Sequence, residues 1–415
     1  MKDRPFKIEE DDGIFIGTTP SKKPVYIRDS ARHVFICGTT GSGKTVAISN
    51  FIKRAIDEDY PLLIIDGKGD SAENSILDIT KKLAGRWKKL YVINLNDPLH
   101  SDNYNPFQNC NTSTVKDMLI NMSEWSEEHY KLNTERYLQR VVSILHKFDL
   151  KLSFKAIIKS IPTEKFKKAS MELLKKEVIT KEEHIENIEL ADASGRIAES
   201  AAARFATIVE SELGEIFISN GIDIYTALKE NAIILFVLNP LLYPELSPAI
   251  GKLALIDSKK AVSKLFQDNE RAFFVFDEIS SYASPSLLDL VNKSRSANIT
   301  NILATQSLSD LDAVTEQFKE QIIENCNNYI VLRQNSSTNA ENWAKIFGTR
   351  GTMQVTYQLQ QQDMNTNTTG LGSAKRVREF LYHPDDIKRL DTGIGIFLSK
   401  DQKNYNTKVI INKPF

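Results

Sequence analysis

Gly38-Thr39-Thr40-Gly41-Ser42-Gly43-Lys44-Thr45 matches the phosphate-cradling pattern G-x-x-x-x-G-K-[ST] at every fixed position. An apolar run, His33-Val34-Phe35-Ile36-Cys37, reads as the strand that feeds it, and a helical pattern follows from Val46 to Ile56. Gly38, Gly41 and Gly43 let the backbone come close to phosphate with its amides turned inward, and the helix N-terminus adds positive potential. Lys44 is expected to reach the β- and γ-phosphates, and the Thr45 hydroxyl to ligate Mg²⁺. A glycine-rich turn with a chance Lys-Thr would lack both flanks. The stretch implies a nucleoside triphosphate, with ATP the expected one.

Composition narrows what surrounds this loop. The chain has 415 residues, 41% hydrophobic and 26% charged, the balance of a soluble globular protein large enough for one big core or two ordinary ones. No apolar run approaches the length that spans a bilayer, Ala232 to Leu238 being among the longest. The start, MKDRPFKIEEDDG, is charged and has no apolar signal core. Cys37, Cys110 and Cys326 fit no paired or metal-ligand spacing, so a reducing, cytoplasmic compartment is expected. A formal net charge of −1 excludes a polycation. Any grip on nucleic acid must come from a local basic surface.

Before the loop, Gly13–Gly17 and Pro24–Ile27 read as a hairpin packed beside the phosphate-loop strand. After it come a buried-type strand, Pro61–Asp66, the loop Gly67–Asp70, a helix from Ala72 to about Leu83, and a strand, Leu90–Asn94. This alternation predicts a parallel sheet covered by helices, with ligands at the C-terminal strand edge. From Asn111 to Leu228 helical patterns replace strands: Val115–Met122, Glu124–Phe148, Ser153–Ser160, Lys165–Glu177 and Ile197–Glu212. Lysine and glutamate are dense there, which reads as ordinary solvated helix surface. The expected organisation is a nucleotide-binding domain in two parts, 1–110 and 229–415, around an all-α subdomain, 111–228.

The α/β pattern returns with Ala232–Leu238, a helix from about Pro248 to Phe266, and Arg271–Glu278. A strand ending in Asp-Glu suits the carboxylates of a phosphate-loop ATPase. Asp277 would hold the Mg²⁺ shell and Glu278 would orient the attacking water. A helix from Ser284 to Ala297 then leads to Ile299–Ala304, tipped by Thr305-Gln306. The Gln306 carboxamide either hydrogen-bonds the γ-phosphate or its water, or caps a helix starting at Ser307. Helices at Val314–Glu324 and Ala340–Phe347 and a strand at Tyr329–Leu332 continue the style. Met353–Gly372 is rich in Gln, Thr, Asn and Gly, and predicts a hairpin with a mobile tip. Strands at Glu379–Tyr382, Gly395–Leu398 and Lys408–Ile411 close the chain.

Taken together, RHVFICGTTGSGKT, IIDGKGD, YNPF at Tyr104 to Phe107, the helical insertion, FVFDEIS, LATQSLSDL and YHPDDIKRL resemble the FtsK–HerA class of DNA-pumping ATPases. More narrowly they resemble the TraG/TraD-type coupling proteins of conjugation and type IV secretion. The resemblance implies a RecA-like P-loop NTPase with a mostly parallel sheet and an inserted all-α subdomain. It assigns phosphate binding to Gly38–Thr45, metal and water chemistry to Thr45, Asp277 and Glu278, and γ-phosphate sensing to Gln306. Arg295 is either an arginine for the neighbouring subunit's nucleotide or a helix-end arginine meeting the dipole.

The same resemblance implies ATP with Mg²⁺, a homo-hexameric ring, sequence-independent DNA (single-stranded), a relaxase or relaxosome, and the proteins of a type IV secretion channel. Coupling proteins begin with membrane helices and this sequence begins with a charged stretch. Docking on the inner face of the membrane through partners, or an anchor lying outside this sequence, are the two readings of that departure. Two alternatives use the same residues: a soluble HerA-like motor in repair, phage defence or genome packaging, and a nucleotide-switched adaptor that docks protein on its insertion. A small-molecule kinase would have no use for the insertion or for Gln306.

Overall fold

Short apolar runs separated by amphipathic helices build an eleven-stranded sheet and a separate two-stranded ribbon. The structure, a computed structural model, describes residues 13–415 except 31, 123, 124, 126, 267–269, 313, 316, 363, 364, 403 and 404, and only the backbone over 357–373. The helix start expected at Glu124 therefore lies outside the described residues.

The strands are β1 (Gly13–Thr18), β2 (Pro24–Arg28), β3 (His33–Cys37), β4 (Leu62–Asp66), β5 (Leu90–Asn94), β6 (Ile233–Val237) and β7 (Ala272–Asp277). They continue as β8 (Ile299–Thr305), β9 (Cys326–Val331), β10 (Thr349–Gln362), β11 (Asn365–Phe380), β12 (Ile394–Ser399) and β13 (Tyr405–Ile411). The order is β2-β1-β13-β12-β9-β3-β8-β7-β4-β6-β5. From β9 to β5 neighbouring strands run parallel. β3, β4, β6, β7 and β8 are buried at every residue, as a parallel sheet covered on both faces requires.

The hairpin β1–β2 does not lie beside β3. β12 runs antiparallel onto β9, β13 antiparallel onto β12, and β1 pairs with β13 at Gly17↔Ile411. Gly17 sits there at φ 149, where a Cβ would overlap the Ile410 carbonyl. β10 and β11 form the predicted hairpin, but it runs from Thr349 to Phe380 and absorbs part of the strand expected at Glu379–Tyr382.

Between β5 and β6 the described helices are Thr112–Asn121, Glu128–Lys147, Phe154–Ser160, Thr163–Lys175, Lys181–Glu210 and Ile224–Lys229. The long one begins well before Ile197. Its Gly195 lets the Thr163 hydroxyl come against the backbone where a Cβ would clash. Buried side chains of the insertion, such as Leu138, Phe154 and Phe205, form one continuous cluster with Phe236, Phe274 and Phe276 of the sheet. The other sheet face packs Phe51 and Ile52 of the Lys44–Asp57 helix against Phe273 and Val275. The insertion therefore shares its core with the sheet.

One polar joint locks the two together. Lys260, on the Leu246–Leu265 helix, is buried and reaches Asp223 at 2.7 Å and Asp257 at 2.6 Å. It also donates to the carbonyls of Pro106 and Gln108, while Tyr104 donates to Asp257 at 2.8 Å. Burial pushes Asp257 upward; at Asp223 burial is again the largest influence, but the Lys260 charge together with hydrogen bonds from Lys260 and Thr226 overcomes it and holds the carboxyl down. Removing the ammonium leaves two buried carboxylates facing each other without a cation. Lys260→Met should cost about 3–5 kcal/mol, read from the urea midpoint at constant slope. A change under about 1 kcal/mol would contradict this account.

Candidate nucleotide site at the C-terminal strand edge

The phosphate loop leaves β3 and turns directly into the Lys44–Asp57 helix. Gly41 at φ 74 and Gly43 at φ 110 take backbone conformations that favour glycine. Gly43 is the N-cap and offers no side chain, and the first helical turn contains no acid. The helix amides and dipole are thus left facing outward for an anion. The loop's shape is held from outside. Thr39 N donates to Arg333 O at 3.0 Å, Gly393 N to Ser42 O at 3.0 Å, and the Thr392 hydroxyl to Gly41 O at 3.1 Å.

Two further strand tips converge on the loop. Lys44 Nζ lies 3.3 Å from Glu278 Oε2, both side chains being largely buried. Gln306 Nε2 donates to the same carboxylate oxygen at 3.1 Å, and the Thr40 hydroxyl donates to Gln306 Oε1 at 3.2 Å. Gln306 therefore spans from the loop to Glu278. The cap of the short Ser309–Asp312 helix comes instead from Ser307 Oγ, which accepts from Asp310 N. Glu278 has φ 48, a left-handed conformation rare outside glycine, and its carboxylate also accepts from the Ser280 hydroxyl at 3.1 Å. Such strain persists only where surrounding contacts impose it.

Asp277 is buried, and its Oδ1 has no hydrogen-bond partner among the described residues. The parallel register sets Asp277 of β7 beside Asp66 of β4. Asp66 Oδ1 accepts from the amides of Lys68 and Gly69 at 3.0 and 3.1 Å. Burial raises both carboxyls above the usual range. The Asp277 charge raises Asp66 further, and Glu278 works in the same direction on Asp277 against the Lys44 ammonium. An unpartnered buried carboxylate oxygen beside a phosphate loop has the chemistry to fit a divalent cation.

Arg295 is not brought to this cluster. It is exposed and opens the 3₁₀ turn Arg295–Ala297 after the Pro285–Ser294 helix, just before β8. Gln306 follows the other end of β8, seven residues or roughly 20 Å away. Sequence reasoning passed over Asp66, Thr392 and Gly393. The loop Gly67–Asp70 pointed toward the first, while nothing local in Asp391-Thr392-Gly393 announces contact with residues 41 and 42.

Comparison with known families bears on this arrangement. The family model described as the TraM recognition site of TraD and TraG matches residues 271–392, which contain Asp277, Glu278 and Gln306. That of the helicase HerA central domain matches residues 14–216, which contain the phosphate loop. The two matches together support a TraG/TraD-type coupling protein of the FtsK–HerA superfamily. Solved structures share the fold. The bacterial conjugative coupling protein TrwB, unbound, has a TM-score of 0.67 at 15% identity, over 98% of this chain and 90% of that one. TrwB in complex with ADP and Mg²⁺ gives 0.64 at 15% identity, over 96% and 89%. VirB4 of Thermoanaerobacter pseudethanolicus gives 0.60 at 12% identity, over 98% of each chain. An uncharacterised protein of Mycoplasma pneumoniae is 31% identical over 94 residues, 19% of this chain and 78% of that protein. No helix among the described residues is long and apolar enough to cross a membrane.

The Asp66–Asp277 pair makes stability depend on pH. A carboxyl whose folded pKa is raised binds its proton more tightly in the fold than in the unfolded chain. Stability is then fully present below the ordinary carboxylate value and declines as pH rises toward neutrality. Asp66→Asn keeps an oxygen for the two amides and removes the repulsion. In thermal unfolding without nucleotide it should stabilise the protein on the order of 1 kcal/mol at about pH 8 and far less at about pH 5. Destabilisation that grows with pH would contradict the assignment.

Proposed function

We propose that this chain is an ATP-driven DNA translocase, a coupling protein that delivers relaxase-bound single-stranded DNA to a type IV secretion channel. The observation that carries the reading is the hydrogen-bonded series Thr40–Gln306–Glu278–Lys44, which joins the phosphate loop to two further strand tips in a chain with these family matches. Lys44 and the loop amides bind the β- and γ-phosphates of ATP. Glu278 accepts a proton from the water that attacks the γ-phosphorus, and the bond to the β-phosphate oxygen breaks to release ADP and phosphate. Bound Mg²⁺ would neutralise charge on the phosphoryl oxygens, with Thr45 and Asp277 to hold it. Gln306 hydrogen-bonds Glu278 and Thr40 at once, so a γ-phosphate that draws on either partner rearranges it and reports which nucleotide is bound.

Arg295 lies too far along β8 to reach the site of its own subunit. Its place in this reading is the neighbour's nucleotide in a homo-hexameric ring, where a guanidinium stabilises the transferred phosphoryl group. The protein would work at the cytoplasmic face of the membrane with relaxosome and channel proteins. A soluble HerA-like motor is the second reading, supported by the match over residues 14–216. A relaxase that co-purifies with the protein separates the two.

Hydrolysis by the wild type should rise on adding single-stranded DNA. Lys44→Ala and Glu278→Gln should each lower it by roughly a hundredfold or more. Gln306→Ala should keep nucleotide binding and lose the DNA response. Steady-state phosphate release checks all three, and hydrolysis indifferent to DNA and to these substitutions overturns the proposal.

A further inference from the structure

The dense mixture of lysine and glutamate in the insertion reads, as sequence, as ordinary helix surface. In the fold part of this charge is paired and part is not. Many of its cations are paired: Lys116 with Glu135, Arg140 with Glu186, Lys147 with Glu183, Lys167 with Asp192 and Lys176 with Glu172. Six lysines along two consecutive helices are not. Lys151, Lys155 and Lys159 recur every four residues along and just before the Phe154–Ser160 helix. Lys165, Lys168 and Lys175 recur at three and seven along the Thr163–Lys175 helix. All six are exposed, and none forms an ion pair among the described residues. Lys151 alone has a side-chain partner, the neutral Asn220 at 3.1 Å.

The direction of these side chains is set by the core. Phe154 and Ile157 of the first helix and Phe166, Ser170 and Leu173 of the second are buried, which turns the lysine stripes outward. The turn at Ile161-Pro162 joins the end of one stripe to the start of the next. Between residues 151 and 176 the only acids are Glu164 and Glu172, and Glu172 is already paired with Lys176. Like charges four apart on a helix repel by a few tenths of a kcal/mol per pair. A chain with net charge −1 has carboxylates to spare, so composition alone does not impose this unrelieved surface.

We infer that this lysine face is a docking track for the sugar-phosphate backbone of DNA, formed by Lys151, Lys155, Lys159, Lys165, Lys168 and Lys175. Four helical residues rise about 6 Å, so each stripe presents ammonium groups at a regular stride along a line. Ammonium groups act as point charges that meet phosphates and do not distinguish bases, which suits a polymer held independently of sequence. At the Lys151 end the track opens on a cleft of about 500 Å³ lined also by Gln108, His146 and Asn220. The inference rests on the DNA-motor reading for its choice of polymer. It adds that the insertion, outside the nucleotide site, holds the strand.

The test is fluorescence anisotropy of the full chain with labelled single-stranded and duplex oligonucleotides across a salt series. The variant replaces Lys155, Lys159, Lys165 and Lys168 by Gln. A control replaces the paired lysines Lys53, Lys82, Lys89 and Lys319 by Gln, and a rescue places Arg at the four track positions. The track variant should bind at least roughly tenfold more weakly at low salt. Its log–log salt slope should fall by about 0.7 for each lysine that meets a single-strand phosphate, or about 0.9 for duplex. The Arg variant should restore both, and the control, the melting temperature and DNA-free hydrolysis should stay unchanged. Wild-type binding matched by the track variant overturns the inference and leaves the motor reading standing. Wild type that binds neither form of DNA overturns both. A track variant that keeps DNA but loses an acidic protein partner assigns the face to protein docking and overturns the inference.

Discussion

Two carboxylates side by side at the ends of adjacent buried strands set the terms for everything around them. Asp66 and Asp277 are placed in register by β4 and β7, and neither is solvated. Such a pair resists double ionisation, and the surroundings supply what compensation there is. Asp66 takes two backbone amides from a loop that turns at Gly69, where φ is 65 and a Cβ would overlap the Leu238 carbonyl. Asp277 feels Lys44 and keeps one oxygen without a partner among the described residues. A phosphate loop, a lysine and a divalent cation are the chemistry that makes a buried Asp277 favourable as an anion. The strand ends are therefore built at some cost to the fold and are compensated by what they bind.

The opposite edge of the sheet is built for rigidity. Asp29 accepts from Arg54 at the end of the phosphate-loop helix and from Arg271 at the foot of β7. Arg271 also donates to Asn298 O, just past the turn that carries Arg295. His33, at the foot of β3, lies 2.8 Å from Val291 O through Nε2, and its Nδ1 accepts from Asn301 N. Burial lowers its pKa to about 4, so it stays neutral with the proton on Nε2 at physiological pH. The feet of the phosphate-loop strand, the carboxylate strand and the Gln306 strand are thus tied to one turn. An exposed arginine on a turn held this way is presented with little freedom, which favours contact with a second molecule over a reach back to its own site.

Much of this was legible in the sequence where local chemistry is sufficient. The phosphate loop, Asp277-Glu278 at a strand end and Gln306 at the next tip all occupy the expected elements. What escaped depended on distant partners. The β1–β2 hairpin was assigned to the wrong neighbour because its place is set by β13, from the far end of the chain. The first half of the Lys181–Glu210 helix was missed because its buried face is made of small and polar residues, Asn187, Ala191, Ser194 and Gly195, which carry little apolar periodicity. Asp66 was read only as the end of a strand because only the sheet register shows that it lies beside Asp277.

The insertion is also joined to the helix that precedes the Asp277 strand. The Leu246–Leu265 helix that carries Lys260 is the helix that precedes β7 in the chain, and β7 ends in Asp277. Lys260 binds Asp223 from the last turn of the insertion and the carbonyls of Pro106 and Gln108 from its entrance. Both crossings between insertion and sheet therefore converge on one buried ammonium. At the site, Lys44 and Glu278 satisfy each other at 3.3 Å, so a γ-phosphate drawing on Lys44 must loosen Glu278. Glu278 is the residue that follows Asp277, and its left-handed backbone is continuous with β7. The strand through which nucleotide would be felt is thus the one whose preceding helix is bolted to the insertion.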